Sequence, residues 1–368
     1  MSASGQTDTQ RDLIIIANPG STSTKVAIYS EPEFVLRENI PHDRAKVASY
    51  RLAYDQLEWR VGMIEETLDK FDGWRQRARA VVGRGGLLHP LPGGTYLVND
   101  DMIEDLKVSR YGDHPSNLGA PIAKGIADEL GVPAFIVDSV MTDELWDVAR
   151  ISGFVKIKRV ATIHALNIKA TARERAKLLG KPLEKTRFVV VHLGGGISVV
   201  SLDGGRIVDM NNALLGEGPF SPERVGTLPV RQLIDLCYSG EYKTAGELKH
   251  TLVKQGGLFS YLKTNDLKEV EARIESGDKE ADLVYDAMAF QIAKAIGGAA
   301  CALCGEIDGI VLAGGAAKSK VLVDRIVKRV GFLGEVFVHP GEEELEALAR
   351  GALRALDGEE EVQTYHRI

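Results

Sequence analysis

The sequence predicts a two-domain α/β protein with mixed sheets, built by internal duplication. Three observations carry this reading. Strand-type and helix-type runs alternate along the chain, the pattern of α/β architecture. A strand, turn, strand unit occurs at 12–29 and again at 187–210. The length, 368 residues, fits two domains of roughly 100 to 200 residues better than one.

Residues 12–17 (DLIIIA) form an apolar run that stops at Asn-Pro-Gly, and β-type residues resume at 25–29 (KVAIY); the punctuation marks a turn between two strands. Next, 51–70, 117–130 and 164–179 carry apolar residues at intervals of three or four and read as helices. The plan then returns, with 187–191 (RFVVV) running through HLGGGIS into VVSLDGGRIVDM. A long helix is expected over 280–303, and 309–313 (GIVLA) closes on GGAAKSK before the amphipathic stretch 321–330. The last helix, 342–356, is expected to pack back on the first domain. These elements divide the chain into 1–155, joined by 341–368, and 156–340, with hinges expected near 150–160 and 338–342.

Hydrophobic residues make up 44% and charged residues 26%, the balance of an ordinary globular protein rather than a disordered or collagen-like one. Lysine plus arginine is 45 against 52 acids, a net charge of −7, so there is no basic footprint and nucleic acid is not an expected partner. Apolar runs are short or broken, as in 295–305 (AIGGAACALCG), well below the roughly 20 residues of a membrane span; no membrane association is expected. The start, MSASGQTDTQRD, lacks the positive-then-apolar order of a secretory signal and reads as a polar tail, with a cytoplasmic location expected. Three cysteines cannot all pair, none has zinc-finger spacing, and Cys301 and Cys304 are expected to be buried reduced thiols.

Three glycine-containing turns carry the chemistry. Asn18 to Lys25 (NPGSTSTK) offers backbone N–H groups, hydroxyls and one lysine, the parts that hold a phosphate between strands. GxxxxGK[ST] does not fit it, and a plain hydroxyl-rich hairpin turn is the competing reading. His192 to Ser198 (HLGGGIS) lets backbone approach a phosphate closely, but Val199 stands where a dinucleotide fingerprint needs its third glycine. Gly314 to Lys318 (GGAAK) precedes a helix, whose N-terminal amides would favour an anion. Together the three turns point to a nucleotide cleft between duplicated domains.

These motifs sit in a longer series: NPGSTSTK, GRGGLLHPLPGG at 83–94, HPSNLGA at 114–120, IHALN at 163–167, HLGGGIS, NNALLGEGPFSPERVGTLP at 211–229 and GGLFSYLKTND at 256–266. In this order, over nearly the whole chain, they resemble the butyrate kinases of the acetokinase family. The resemblance implies two duplicated actin-like, ribonuclease H-like domains with a cleft between them. It implies reversible transfer of the ATP γ-phosphoryl group, with Mg²⁺, to a short-chain carboxylate to give ADP and an acyl phosphate. It also implies a homo-oligomer, a dimer or larger. In-line transfer is mostly positioning and charge neutralisation.

The resemblance assigns roles residue by residue. Asn18, Ser21, Ser23 and Lys25 match the first phosphate loop, with Asn18 near the metal and Lys25 near the transferred phosphoryl. Asp138 matches a carboxylate beside metal and acyl substrate; its competing reading is a helix cap. His164 matches a donor to the equatorial oxygens in flight, although a lone histidine opening a helix is more often structural. Arg224 and Arg84 match groups facing phosphoryl and carboxylate, although acetate kinases carry histidine at the position of Arg84; a surface ion pair competes for both. His192, Gly194, Gly195 and Gly196 should flank the nucleotide phosphates, Asp266 and Lys268 should lie near adenosine, and Gly314 and Gly315 under it. Glu344 matches a metal-linked glutamate, with Glu342 and Glu343 leaving the register open and an acidic first helical turn competing.

Leu215, Val225 and Lys263 depart from the usual family letters, where an acidic residue, serine or glycine, and glycine are expected. Two other readings stand beside butyrate or a branched-chain acid as substrate: acetate or propionate kinase, and a nucleotide-binding module on the same fold without catalysis.

Overall fold

In this computed structural model, residues 11–341 and 343–368 are described; nearly all of the expected polar tail, and Glu342, lie outside them. The chain divides into two compact units, one running up to Met141 and joined by Glu343–Ile368, the other Thr142–Glu342. The division precedes the expected 150–160 because the following segment is fastened to the second unit. Trp146 N–H donates to the Val208 carbonyl at 3.0 Å, and the Glu144 carboxylate takes the Lys169 ammonium at 2.7 Å and the Ile207 N–H at 2.9 Å.

The first unit is built around β1 (Leu13–Pro19), β2 (Ser23–Ser30), β3 (Glu33–Pro41), β4 (Ala78–Arg84), β5 (Thr95–Leu97) and β6 (Ala134–Val137). With the short strand Gln363–Thr364 they form one sheet, ordered Gln363–Thr364, β5, β6, β4, β1, β2, β3. β1 to β3 form an antiparallel meander, and β4 and β6 extend it in parallel from β1. Every residue of β1 is buried, the near-continuous apolar run of a strand covered on both faces. Leu13, Ile15 and Ala17 join one core with Ile136, Leu118 and Ile122. Ile14 and Ile16 alternate onto the other face, where the helix Glu344–Leu356 packs on β1, β4 and β6. That helix lies so close to the sheet that a Cβ on Gly351 would come within 2.6 Å of both Val137 methyls.

The second unit repeats the plan with β7 (Arg187–Leu193), β8 (Ile197–Asp203), β9 (Arg206–Met210), β10 (Gly309–Gly314) and β11 (Val336–Pro340). Its sheet order is β11, β10, β7, β8, β9. An antiparallel meander β7 to β9 and two parallel additions, β10 and β11, reproduce β1 to β4 and β6 in order and direction. The duplicated mixed α/β architecture expected from the sequence is thus present. Val189, Val191 and Leu193 face the core under the helices Lys279–Ala302 and Lys320–Val330, while Phe188 and Val190 face that of the helix Ala165–Leu178.

Expected helices are found at 57–68, 119–130, 165–178, 279–302, 320–330 and 344–356. Single 3₁₀ turns, Ala53–Gln56 and Pro115–Leu118, open the first two. Among the described residues no helix is long and apolar enough to cross a membrane. The cysteine expectation is corrected in one respect: Cys237, Cys301 and Cys304 are free thiols, but all three are exposed. The buried face of Lys279–Ala302 runs through Ile292, Ile296, Ala299 and Ala300, which turns Cys301 outward, and Cys304 lies beyond the helix end at φ 57°.

Candidate active site

In the first unit, the turn between β1 and β2, the end of β4 and the start of the helix Glu344–Leu356 meet at one carboxylate. Glu344 Oε2 accepts from the Asn18 amide at 2.7 Å. Glu344 Oε1 takes Arg84 Nη1, and Lys25 Nζ stands 3.8 Å from Oε2. The Arg84 and Glu344 side chains keep only 18% and 12% of their exposure, so this is not the surface ion pair that competed for Arg84. Asn18, Pro19, Gly20, Ser23, Lys25 and Arg84 line a cavity of about 180 Å³, closed by His114, Ser116 and Glu344. Ser21 is exposed and not among its lining residues. Local sequence explains the approach: Gly119 abuts the Arg84 backbone so closely that a Cβ would overlap it, which brings 114–118 against the end of β4.

Asp138 is not among the residues lining that cavity. Its Oδ1 accepts from Gly94 N–H at 2.8 Å while its own N–H donates to the Gly94 carbonyl at 2.9 Å. It sits just past β6 at φ 41°, a left-handed conformation rare outside glycine, and this double clamp holds it there. No helix starts at this residue, which corrects the helix-cap alternative.

In the second unit, His164 stands at the N-terminus of Ala165–Leu178 and stacks on His192 from the end of β7, ring centroids 4.0 Å apart and planes within 12°. His164 Nδ1 lies 2.9 Å from Ser198 Oγ, and Asn167 Oδ1 accepts from His192 Nδ1 at 2.8 Å; an acceptor there places the imidazole proton on Nδ1. The glycine turn beside them is hooked to the Arg224 segment. Ser221 Oγ donates to the Gly195 carbonyl at 2.5 Å and accepts from Arg224 N–H at 3.1 Å. The Arg224 guanidinium lies against Gly196, where a Cβ would come within 2.8 Å of Cζ, and Nη1 donates to the Ala213 carbonyl at 2.6 Å. Burial pushes this guanidinium below its ordinary range, and its Nε is buried without a hydrogen-bond partner. No carboxylate pairs with it among the described residues' ion pairs, so the surface-pair alternative does not hold.

Four predicted residues remain, and of these Gly314 adjoins the end of β7. Asp266 caps the helix Leu267–Glu275 by accepting from Lys268 N–H at 2.9 Å, and both are exposed. Gly314, at φ 91°, passes under β7, where a Cβ would overlap Leu193 backbone. Gly315 opens a 3₁₀ turn, and the helix Lys320–Val330 beyond it is capped by Ser319 Oγ. The Ser319 cap satisfies one N–H of that helix end, that of Leu322. No role was expected for His114, Ser116, Asn167 or Ser198, although all four lie within the motifs at 114–120, 163–167 and 192–198.

A hard divalent cation is tested by its donors. Asn18 and Glu344 offer an amide and a carboxylate side by side, in keeping with Mg²⁺, which takes one or two carboxylates and keeps waters and phosphate oxygens. No cluster of three His, Cys, Asp or Glu groups occurs among the described residues.

The model of one protein family, described as the acetokinase family, matches residues 155–349, just over half of the chain. Among solved structures, acetate kinase from Porphyromonas gingivalis superposes with a TM-score of 0.76 at 17% identity, covering 93% of this chain and 99% of that one. A propionate kinase from Francisella tularensis gives 0.72 at 18%, covering 92% and 98%. Acetate kinase from Entamoeba histolytica gives 0.72 at 16%, covering 93% and 99%. At these identities the likeness is one of fold.

Proposed function

The chain belongs to the acetokinase family, and from that premise we propose that it transfers the γ-phosphoryl group of ATP to a short-chain carboxylate, butyrate or a branched-chain acid, reversibly and with Mg²⁺. The observation that carries this is the convergence of Asn18, Lys25 and Arg84 on Glu344 around one cavity. Two cations and a carboxylate at one place form a site that can exchange an internal anion for a phosphoryl group and a metal. In this reading Lys25 and Arg84 leave Glu344 for phosphoryl and carboxylate oxygens, and Asn18 and Glu344 hold the Mg²⁺. The metal supplies charge neutralisation to the phosphates. Arg224 has a buried N–H without a partner, and a planar guanidinium can engage a phosphoryl or carboxylate group bidentately. His164 donates to the equatorial oxygens, with Ser198 fixing its ring. His192 and Gly194 to Gly196 flank the nucleotide phosphates. Asp138, clamped by Gly94, serves metal and acyl substrate in this reading. The proposal includes assembly as a dimer or larger.

A second reading has its own support: the solved relatives named above are acetate and propionate kinases. One methylene in an apolar pocket is worth only about 1 to 3 kcal/mol, so chain length is decided by measurement. Hydroxamate trapping of acyl phosphate with Mg²⁺ and ATP across acetate, propionate, butyrate, isobutyrate, valerate and isovalerate should show an optimum at four or five carbons, lost in Arg224→Ala. An optimum at two or three carbons selects the acetate or propionate reading. No product with any acid, while ATP still binds, selects the non-catalytic module.

A further inference from the structure

Behind the Asn18 to Lys25 turn lies a charge that the site just described does not use. Arg60, on the helix Leu57–Leu68, is wholly buried, and no carboxylate pairs with it among the ion pairs of the described residues. Its fork ends on neutral oxygens only. Nε and Nη2 donate to Gln56 Oε1 at 3.1 and 2.7 Å. Nη1 donates to the Gly20 carbonyl at 2.9 Å and to Thr24 Oγ1 at 3.0 Å.

The bonds continue from Thr24 to His42. Thr24 Oγ1, which accepts from Arg60, lies 2.9 Å from His42 Nε2. The His42 backbone N–H donates to the Thr22 carbonyl at 2.9 Å. Desolvation pushes the Arg60 guanidinium down to about 10, which leaves it charged at neutral pH. A buried charge with only neutral partners is costly to the fold. Gly20 both lines the cavity and hands its carbonyl backward to Arg60. Turning a carbonyl away is what an anion site needs, since its oxygen would otherwise repel the ligand.

We propose that Arg60 is a positioning residue for the phosphoryl anion: it fixes the turn from behind through Gly20 and Thr24 and gives the cavity a positive charge that no carboxylate cancels. This rests on the reading of the cavity as a phosphoryl site. The occupant is a phosphate-bearing anion, and Arg60 acts on it through the turn without touching it.

Gln56 allows a test that leaves geometry alone. Gln56→Glu replaces an amide by a carboxylate of the same shape and pairs the guanidinium in place. The full chain and its Gln56→Glu, Arg60→Met and Arg60→Lys variants would be titrated with pyrophosphate by calorimetry, heated with inorganic phosphate or with chloride at equal ionic strength, and assayed for acyl phosphate. Gln56→Glu should be as thermally stable as the parent or more so, yet bind pyrophosphate at least about tenfold more weakly. Its kcat should fall while KM for the acid stays within about threefold. Arg60→Lys should recover part of what Arg60→Met loses, and if Arg60→Met does not fold, Gln56→Glu decides. If Gln56→Glu leaves pyrophosphate affinity and kcat unchanged, Arg60 serves the fold alone and the proposal is overturned. A parent chain that gains nothing from phosphate or pyrophosphate also overturns it. A parent that binds pyrophosphate, weakened in Gln56→Glu, but phosphorylates no acid supports the role of Arg60 while sinking the carboxylate kinase reading.

Discussion

Glu344 competes with the very anion the cavity is proposed to take. Its carboxylate occupies Lys25 and Arg84, so Glu344→Gln should destabilise the free protein, because removing one partner leaves a half-buried cation unpaired. The same change should increase the thermal protection given by inorganic phosphate without metal. Equal or smaller protection than in the parent would show that the two anions do not share the site. His42 gives a pH prediction. Burial, with the Arg60 charge beside it, lowers its pKa to about 4 from 6.5. The unfolded chain therefore takes a proton near pH 6.5 that the native state refuses until about pH 4. The contribution is fully present above pH 6.5 and is lost as pH falls through that window, by no more than about 3 kcal/mol. Chemical denaturation of His42→Gln should show a flatter dependence between pH 6.5 and 4 than the parent; parallel curves would refute the assignment. At this scale the sequence made Asn18, Lys25, Arg84 and Glu344 legible through motif wording. Arg60 carried no such mark, since nothing in a helical repeat distinguishes an arginine that turns inward from one that meets water.

Among elements, the short helix Gly257–Leu262 explains one departure from the family pattern. Lys263 closes it in the left-handed region, at φ 60°, the conformation for which a glycine is the unstrained choice. An L side chain there costs roughly 1 kcal/mol, so Lys263→Gly should raise stability by about that amount, read as a higher denaturation midpoint with unchanged cooperativity. A lower midpoint would mean that the Lys263 ammonium, which donates to the Ser260 carbonyl at 2.9 Å, outweighs the strain. The helix preceded by Gly314 and Gly315 shows the opposite limit of local reading. There Ser319 Oγ accepts from Leu322 N–H at 2.9 Å, a cap that the glycine turn before it does not announce. Periodicity located the second helix but not Gly257–Leu262, and which cap each end uses depends on side chains that a repeat does not encode.

Each of the two units has its own core, one around β1 and β6 and one around β7 and the helix Lys279–Ala302. Scanning calorimetry should therefore resolve two transitions. Ile15→Ala should lower one and Met288→Ala the other, each core truncation costing about 2 to 5 kcal/mol; a single transition shifted by both would contradict independent cores. The repetition of β3-β2-β1-β4-β6 as β9-β8-β7-β10-β11 was foreshadowed by the two strand, turn, strand runs, because strand period and glycine punctuation are local properties. The segment after Met141 was misjudged because Glu144 joins the second unit through Lys169 and Ile207, bonds that no composition shift announces. By itself, then, the sequence determined the alternation of strands and helices, the duplication, and the motif wording that points to phosphoryl chemistry. Only the tertiary structure decided that Glu344 meets Asn18 across 326 positions, that Asp138 turns to Gly94, and that Arg60 lies behind the phosphate turn. The physical reason is range: hydrophobic periods and turn propensities act between neighbours in the chain, whereas the partner of a buried charge is fixed by sheet order and packing.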